Sequence, residues 1–156
     1  MSIINPIDIK EKLKDNQTIM GVDYGTKNIG IAISDALLYS ASPHTTIKNT
    51  KFKEVLTQLN NIIEEKNVGV IVIGMPYNMD GSEGPRCQST RAFAENLLKA
   101  NENFNLCFKD ERMSTSAVER SMIEGDLSRK RRSQIIDKSA AAFILQGVLD
   151  MIANLG

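Results

Sequence analysis

The sequence predicts an α/β fold, a central mixed five-stranded sheet with helices on both faces. Three features predict it. Apolar runs at 18–23 (TIMGVD) and 28–34 (NIGIAIS) are split only by Tyr24-Gly25-Thr26-Lys27. A β-branched run fills 70–74 (VIVIG), and helical apolar spacing alternates with strands from residue 51 onward. A leading hairpin followed by helix–strand units makes a sheet that is antiparallel in one part and parallel in the other.

Residues 1–15 read as an N-terminal extension with a short helix from Pro6, because proline is tolerated in a first helical turn. In 28–34, Ile29, Ile31 and Ile33 alternate with Gly30, Ala32 and Ser34, whose small side chains let a helix pack close. Gly25 can take positive φ, so an antiparallel hairpin is the economical connection. A weaker third strand is expected near 43–48, after Pro43. Phe52, Val55, Leu56, Leu59, Ile62 and Ile63 recur three and four apart, predicting an amphipathic helix over 51–66. The run at 70–74 suits a central strand buried on both faces.

The segment 76–87 (PYNMDGSEGPRC) is rich in turn formers and reads as a mobile loop, followed by a helix over 89–100 and a strand at 105–109. Ser114 or Ser116 can cap a helix through about residue 124, with Ser116 and Glu119 matching a capping box. Ser133 can cap a last helix over 134–153. Three strands in meander, then helix, strand, helix, strand and two helices, form one domain over 1–156 in the RNase H-like layout.

Composition narrows the function classes. With 42% apolar and 24% charged residues the chain is an ordinary globular one, not a disordered tail. No apolar stretch approaches a membrane span and the start lacks a signal peptide, so a cytoplasmic location without membrane contact is expected. Cys87 and Cys107 stand apart, outside any metal pattern, and read as reduced thiols. Nineteen basic residues balance nineteen acidic ones, so any contact with a polyanion must come from a local patch. Arg129, Lys130, Arg131 and Arg132 supply one, as RNA contact or as a solvated linker, while Arg86, Arg91 and Arg112 lie near candidate site segments.

Three carboxylates are candidate metal ligands. Asp23 closes an apolar strand and sits at the sheet's edge beside a turn, where it either binds a metal or caps turn amides. Asp110 and Glu111 follow the 105–109 strand, at the carboxyl end where open α/β sheets bind ligands. Adjacent acids on extended chain point opposite ways, and Glu111 has the longer reach. Asp137 shares a helical stripe with Ala141, Ile144 and Val148 in what reads as the helix's first turn; there it needs a metal, a cation or the turn's own amides. Hard oxygen ligands of this kind suit Mg²⁺ or Mn²⁺ at a phosphodiester, in a two-metal arrangement in which one ion activates water and the other steadies the leaving oxygen.

Four blocks, GVDYGTKNIGIAISD, VIGMPYNMDGSEGPR, DERMSTSAVER and RKRRSQIIDKSAAAFILQGVLD, closely resemble the YqgF family of RNase H-like, Holliday-junction-resolvase-like proteins tied to pre-16S ribosomal RNA processing. The resemblance runs from about Ile19 to Asp150. It implies a metal-dependent nuclease with Asp23, Glu111 and Asp137 as its acidic residues, acting at the 5′ end of the small-subunit ribosomal RNA precursor. Many RNase H relatives carry an acid directly after the central strand; here Gly74-Met75-Pro76 stands there, so Glu111, in preference to Asp80, is expected to substitute.

Other readings stay in view. DYGTKNIG also looks like the first phosphate loop of actin-like ATPases and sugar kinases, but those need a second lobe that 156 residues do not hold. A non-catalytic RNA-binding assembly factor would use Arg129 to Arg132 and the 76–87 loop, a resolvase of branched DNA would need two sites on a two-fold dimer, and the chain is expected as monomer or homodimer. His44 reads as a surface or packing residue. Tyr24 and Tyr77 could each stack on a base, but as isolated tyrosines they carry little weight.

Overall fold

The computed structural model describes residues 2–101, 104–111 and 129–155, and the side chains of all of these except 2 and 129–137. The chain runs β1 (Ser2–Ile3), a 3₁₀ turn (Pro6–Asp8), α1 (Ile9–Lys12), β2 (Thr18–Tyr24), β3 (Asn28–Ser34) and β4 (Ala41–Lys48). It continues with α2 (Phe52–Glu65), β5 (Val68–Met75), α3 (Pro85–Ala100), β6 (Asn105–Asp110) and α4 (Arg129–Asn154). The strands form one sheet in the order β1-β6-β5-β2-β3-β4. The β2–β3 and β3–β4 pairs are antiparallel; the β2–β5 and β5–β6 pairs are parallel. The expected five strands are all present, and two-residue β1 adds a sixth beside β6, which no two-residue pattern in the sequence could signal.

Period-two alternation sorts the core into two layers. Met20 and Val22 of β2, Ile29 and Ile31 of β3, Ile71 and Ile73 of β5 and Leu106 of β6 face α2 and α3, meeting Val55, Leu59, Ile62, Phe93 and Leu97. The intervening residues Ile19, Ala32, Val70, Val72 and Cys107 face α4, meeting Ala141, Ile144, Leu145, Val148 and Leu149. Each fully buried aliphatic side chain contributes about 1.5–3 kcal/mol, so both layers are needed. Both cysteines are buried free thiols, and burial pushes Cys107 up to about 12, which keeps it inert.

Four local expectations need correction. Gly25 is not at positive φ; a Cβ there would stand 2.5 Å from the Asn28 carbonyl oxygen, so close backbone approach across the hairpin is what demands glycine. Helix α3 starts at Pro85, inside the expected loop, because proline pre-sets the first-turn φ and Gly84 can lead into it. Among the described residues helix α4 runs over Arg129–Asn154, so Ser133 lies within it and the basic run is helical backbone, not a linker. Asp137 is therefore more than two turns inside α4, beyond the reach of the N-terminal dipole. The expected helix after Ser114, and Arg112, lie outside the described residues. No helix among the described residues is long and apolar enough to cross a membrane.

Candidate active site

Strand parity gathers the site. Ile19, Gly21 and Asp23 of β2, Val70, Val72 and Gly74 of β5, and Cys107, Lys109 and then Glu111 past β6 all fall on the α4 side of the sheet. Val22 pairs with Ile73 and Gly74 pairs with Lys109, so Asp23, Gly74 and the residue after β6 lie at neighbouring C-terminal strand ends. The chain leaves β2 toward β3 on one side and β5 toward β6 on the other, so the connections diverge between β2 and β5. Crevices at such switch points are where open α/β sheets bind ligands. Strand β2 is interior, so Asp23 stands at a strand end and not at a sheet edge.

Asp23 and Glu111 are each only 7% exposed, and their carboxyl groups contact one another. Gly74 makes room: a Cβ there would stand 2.8 Å from Glu111 Oε2 and 2.5 Å from Ile144 Cδ1. The missing acid after the central strand is thus a gap that the neighbouring strand's acid fills. The Glu111 N–H donates to the Met75 carbonyl at 3.1 Å, extending the β5–β6 ladder by one residue and turning the side chain inward. Asp110 is exposed, as the alternation requires.

Burial pushes Asp23 above the ordinary carboxylate range, offset in part by the adjoining Glu111 carboxyl and by the positive charge of Arg86. Burial, then the Asp23 charge, pushes Glu111 up to about 8, against a smaller pull from Arg86. Asp23 Oδ1 is buried and accepts no hydrogen bond from a described residue. Two carboxyl groups in contact, out of water, share protons or need a cation.

Arg86 lies exposed in the first turn of α3, close enough to act on both acids. Arg91 is drawn into structure: its Nε donates to Glu83 at 2.5 Å and its guanidinium lies 5.4 Å from the Phe108 ring centre. Asp80 stays in its own turn, accepting from the Ser82 N–H at 2.9 Å and the Ser82 hydroxyl at 2.6 Å. His44, half-buried in β4, lines a separate cavity with Thr18 and Ser34, toward the opposite end of β2 from Asp23. The side chains of Arg129, Lys130, Arg131, Arg132 and Asp137 lie outside the described residues. Among the described residues no group of three His, Cys, Asp or Glu side chains comes together. Gly74 is the participant that residue type alone does not reveal; its signal is the break in the β-branched run at a position sharing Asp23's parity.

Residues 17–151 match the family described as RuvX, Holliday junction resolvase. The chain belongs to the RuvX family. This is the YqgF family of the sequence resemblance. A Roseobacter denitrificans relative named "Putative pre-16S rRNA nuclease" is 48% identical, covering 97% of this chain and 94% of its own. One of the same name from Phenylobacterium zucineum is 47% identical over 99% of this chain and its own full length. A RuvX-family chain is a nuclease, a hydrolase of phosphodiester bonds in nucleic acid. The fold is similar to that of T. thermophilus RuvC, solved with a Holliday junction substrate, at a TM-score of 0.53 and 12% identity, covering 90% of this chain and 96% of that one. It also resembles the yeast mitochondrial Holliday junction resolvase Ydc2, at a TM-score of 0.52 and 13% identity over 96% of this chain and 86% of that one. The RuvX-family fold is therefore the RNase H-like one expected from element order.

Proposed function

We propose that the chain is a divalent-metal-dependent endonuclease that processes the 5′ end of the pre-16S ribosomal RNA in the cytoplasm, through an acidic centre of Asp23, Glu111 and Asp137 in one domain over 1–156. The observation that carries the reading is the buried contact between Asp23 and Glu111 over Gly74. The names of the relatives from Roseobacter denitrificans and Phenylobacterium zucineum supply the substrate.

The donor set fits a hard dication. Two buried carboxylates of like charge, one with an Oδ1 that no described residue satisfies, have lone pairs and charge for Mg²⁺ or Mn²⁺. Asp23 and Glu111 would hold it, with Asp137 as third ligand from α4. When bound, the metal supplies Lewis-acid charge for the scissile phosphate and lowers the pKa of an attacking water. The protein's own contributions are positional. Asp23 and Glu111 keep fixed orientations at two strand ends, and their burial keeps bulk water from screening the charge between them. Arg86, exposed beside them, would pair with a non-bridging phosphate oxygen, and Arg112, Arg129, Lys130, Arg131 and Arg132 would follow the flanking backbone.

The test is cleavage of a pre-16S RNA fragment with Mg²⁺ or Mn²⁺, beside a four-way DNA junction as the competing substrate. Wild type is expected to cut the RNA, and Asp23→Asn to lose roughly a thousandfold in rate, the several kcal/mol a metal ligand supplies. Tight binding without cutting would make the protein an assembly factor; symmetric nicking of the junction alone would make it a resolvase.

A further inference from the structure

Asp23 and Tyr24 are consecutive in β2 and face opposite sides of the sheet. Behind Asp23, on the α2 and α3 side, Tyr24 borders a cavity of about 280 Å³ between the start of α2, the middle of α3 and the residues that follow β4. Its wall is aromatic. The Tyr24 ring stacks on buried Phe93 at 4.4 Å between centres, and Phe52 meets Phe93 edge-on at 6.2 Å. Tyr24 and Phe52 are only half-buried, so ring surface remains open to a ligand.

Among the described residues the lining carries Asn49, Thr50, Ser89 and Asn96 and no Lys, Arg, Asp or Glu, and the Thr50 hydroxyl already donates to Glu54 at 2.7 Å, so neither a phosphate nor a dication has a counter-charge in the lining itself. Amide and hydroxyl groups offer donors and acceptors together, which is what the edge of a nucleobase presents. Asn49 is already oriented, because its Nδ2 donates to the Gly25 carbonyl at 2.8 Å in the hairpin that follows Asp23. The volume lies just below the range of small-molecule pockets, about 300–1,000 Å³, and suits one planar heterocycle.

We propose that this cavity is a nucleobase subsite, which takes one unstacked base of the strand cut at Asp23 and Glu111, stacks it on Tyr24 and Phe52, and reads its edge through Asn49, Ser89 and Asn96. The proposal rests on Asp23 and Glu111 being the cleavage centre. Because the two sites lie on opposite faces of one strand end, the base belongs to a nucleotide close to the scissile phosphate. A base inside a duplex cannot enter, so the subsite selects unpaired nucleotides next to the cut.

Titrating the metal-free protein with each of the four ribonucleoside 5′-monophosphates, and with their deoxy forms, should shift the Tyr24 and Phe52 ring resonances saturably, with one base favoured. Ala92→Trp, at an exposed position of α3 that lines the cavity, should weaken this binding tenfold or more and erase the base preference at the cut in single-stranded oligonucleotides that differ at one nucleotide. Asn96→Leu, a milder surface change, should alter which base is preferred. Absent ring shifts, or an unchanged base preference in Ala92→Trp, would overturn the subsite while a cutting wild type keeps the nuclease reading. Base binding by a wild type that cuts nothing would overturn both.

Discussion

At Gly74 the sheet carries no side chain, and the Glu111 carboxylate fills the space, with Oε2 at 2.8 Å and Ile144 Cδ1 at 2.5 Å from where a Cβ would stand. Both neighbours are the free ends of flexible side chains, so Gly74→Ala should cost only about 1–3 kcal/mol in stability. Moving Glu111 by about an ångström should cost far more in function, roughly a hundredfold in cleavage rate. Rates and melting curves of this variant separate the two effects; full activity would show that Glu111 does not need its place. The acid pair also sets a pH dependence. Glu111 is raised in the folded state, from 4.5 to about 8, and Asp23 is raised with it. The folded, metal-free protein therefore holds protons that the unfolded chain has released, so this contribution to stability is full below pH 4.5 and lost as pH rises through about 8. Asp23→Asn removes the like charge, so its melting temperature should gain on wild type as pH rises across that window. A gap that stays constant with pH would refute the coupling.

Among the elements, α4 decides whether the third acid can join the site. Helix α4 lies against β2 at Gly21, where a Cβ would stand 2.8 Å from both the Ala141 carbonyl oxygen and Leu145 Cβ. Neither can yield without moving helix backbone, so Gly21→Ala should push α4 off the sheet, costing about 1–3 kcal/mol or more. For a chain of this size that is several degrees of melting temperature. Because α4 also carries Asp137, cleavage should fall with it, whereas Mg²⁺-independent RNA binding should not; unchanged melting would mean the helix packs less closely than Gly21 implies. Helix α3 has a comparable role on the other face, since starting at Pro85 rather than near residue 89 puts Arg86 in a fixed first turn.

For the whole molecule, nineteen basic and nineteen acidic residues leave no net charge to draw in a polyanion. Affinity for RNA should then depend on a few local cations. Replacing residues 129–132 by glutamine should weaken RNA binding and reduce the slope of log affinity against log salt by about 0.7 for each phosphate of a single strand that is no longer neutralised. Filter-binding or fluorescence titrations at several salt concentrations measure this, and an unchanged slope would remove the run from the RNA path. The same neutrality is compatible with an uncharged aromatic cavity beside the acids reading bases: stacking needs no long-range field.

The amino-acid order alone determined the strands and helices whose periodicity is local: the isoleucine alternation of β3, the helical stripe from Phe52 to Ile63, the β-branched run of β5. It also marked Asp23 and Glu111 as acids at strand ends. Short or boundary features escaped it, because β1 has no period to read, and because Gly84-Pro85 resembles a turn while starting a helix and the basic run resembles a linker while its backbone is helical. What only the tertiary structure decided is convergence. Strand order β6-β5-β2 brings residues 23, 74 and 111 to one row, and that order rests on side chains far apart in sequence packing against α2, α3 and α4. The same packing carries Phe52 and Phe93 to Tyr24, an isolated tyrosine in the sequence, and makes an aromatic wall that no local pattern along the chain records.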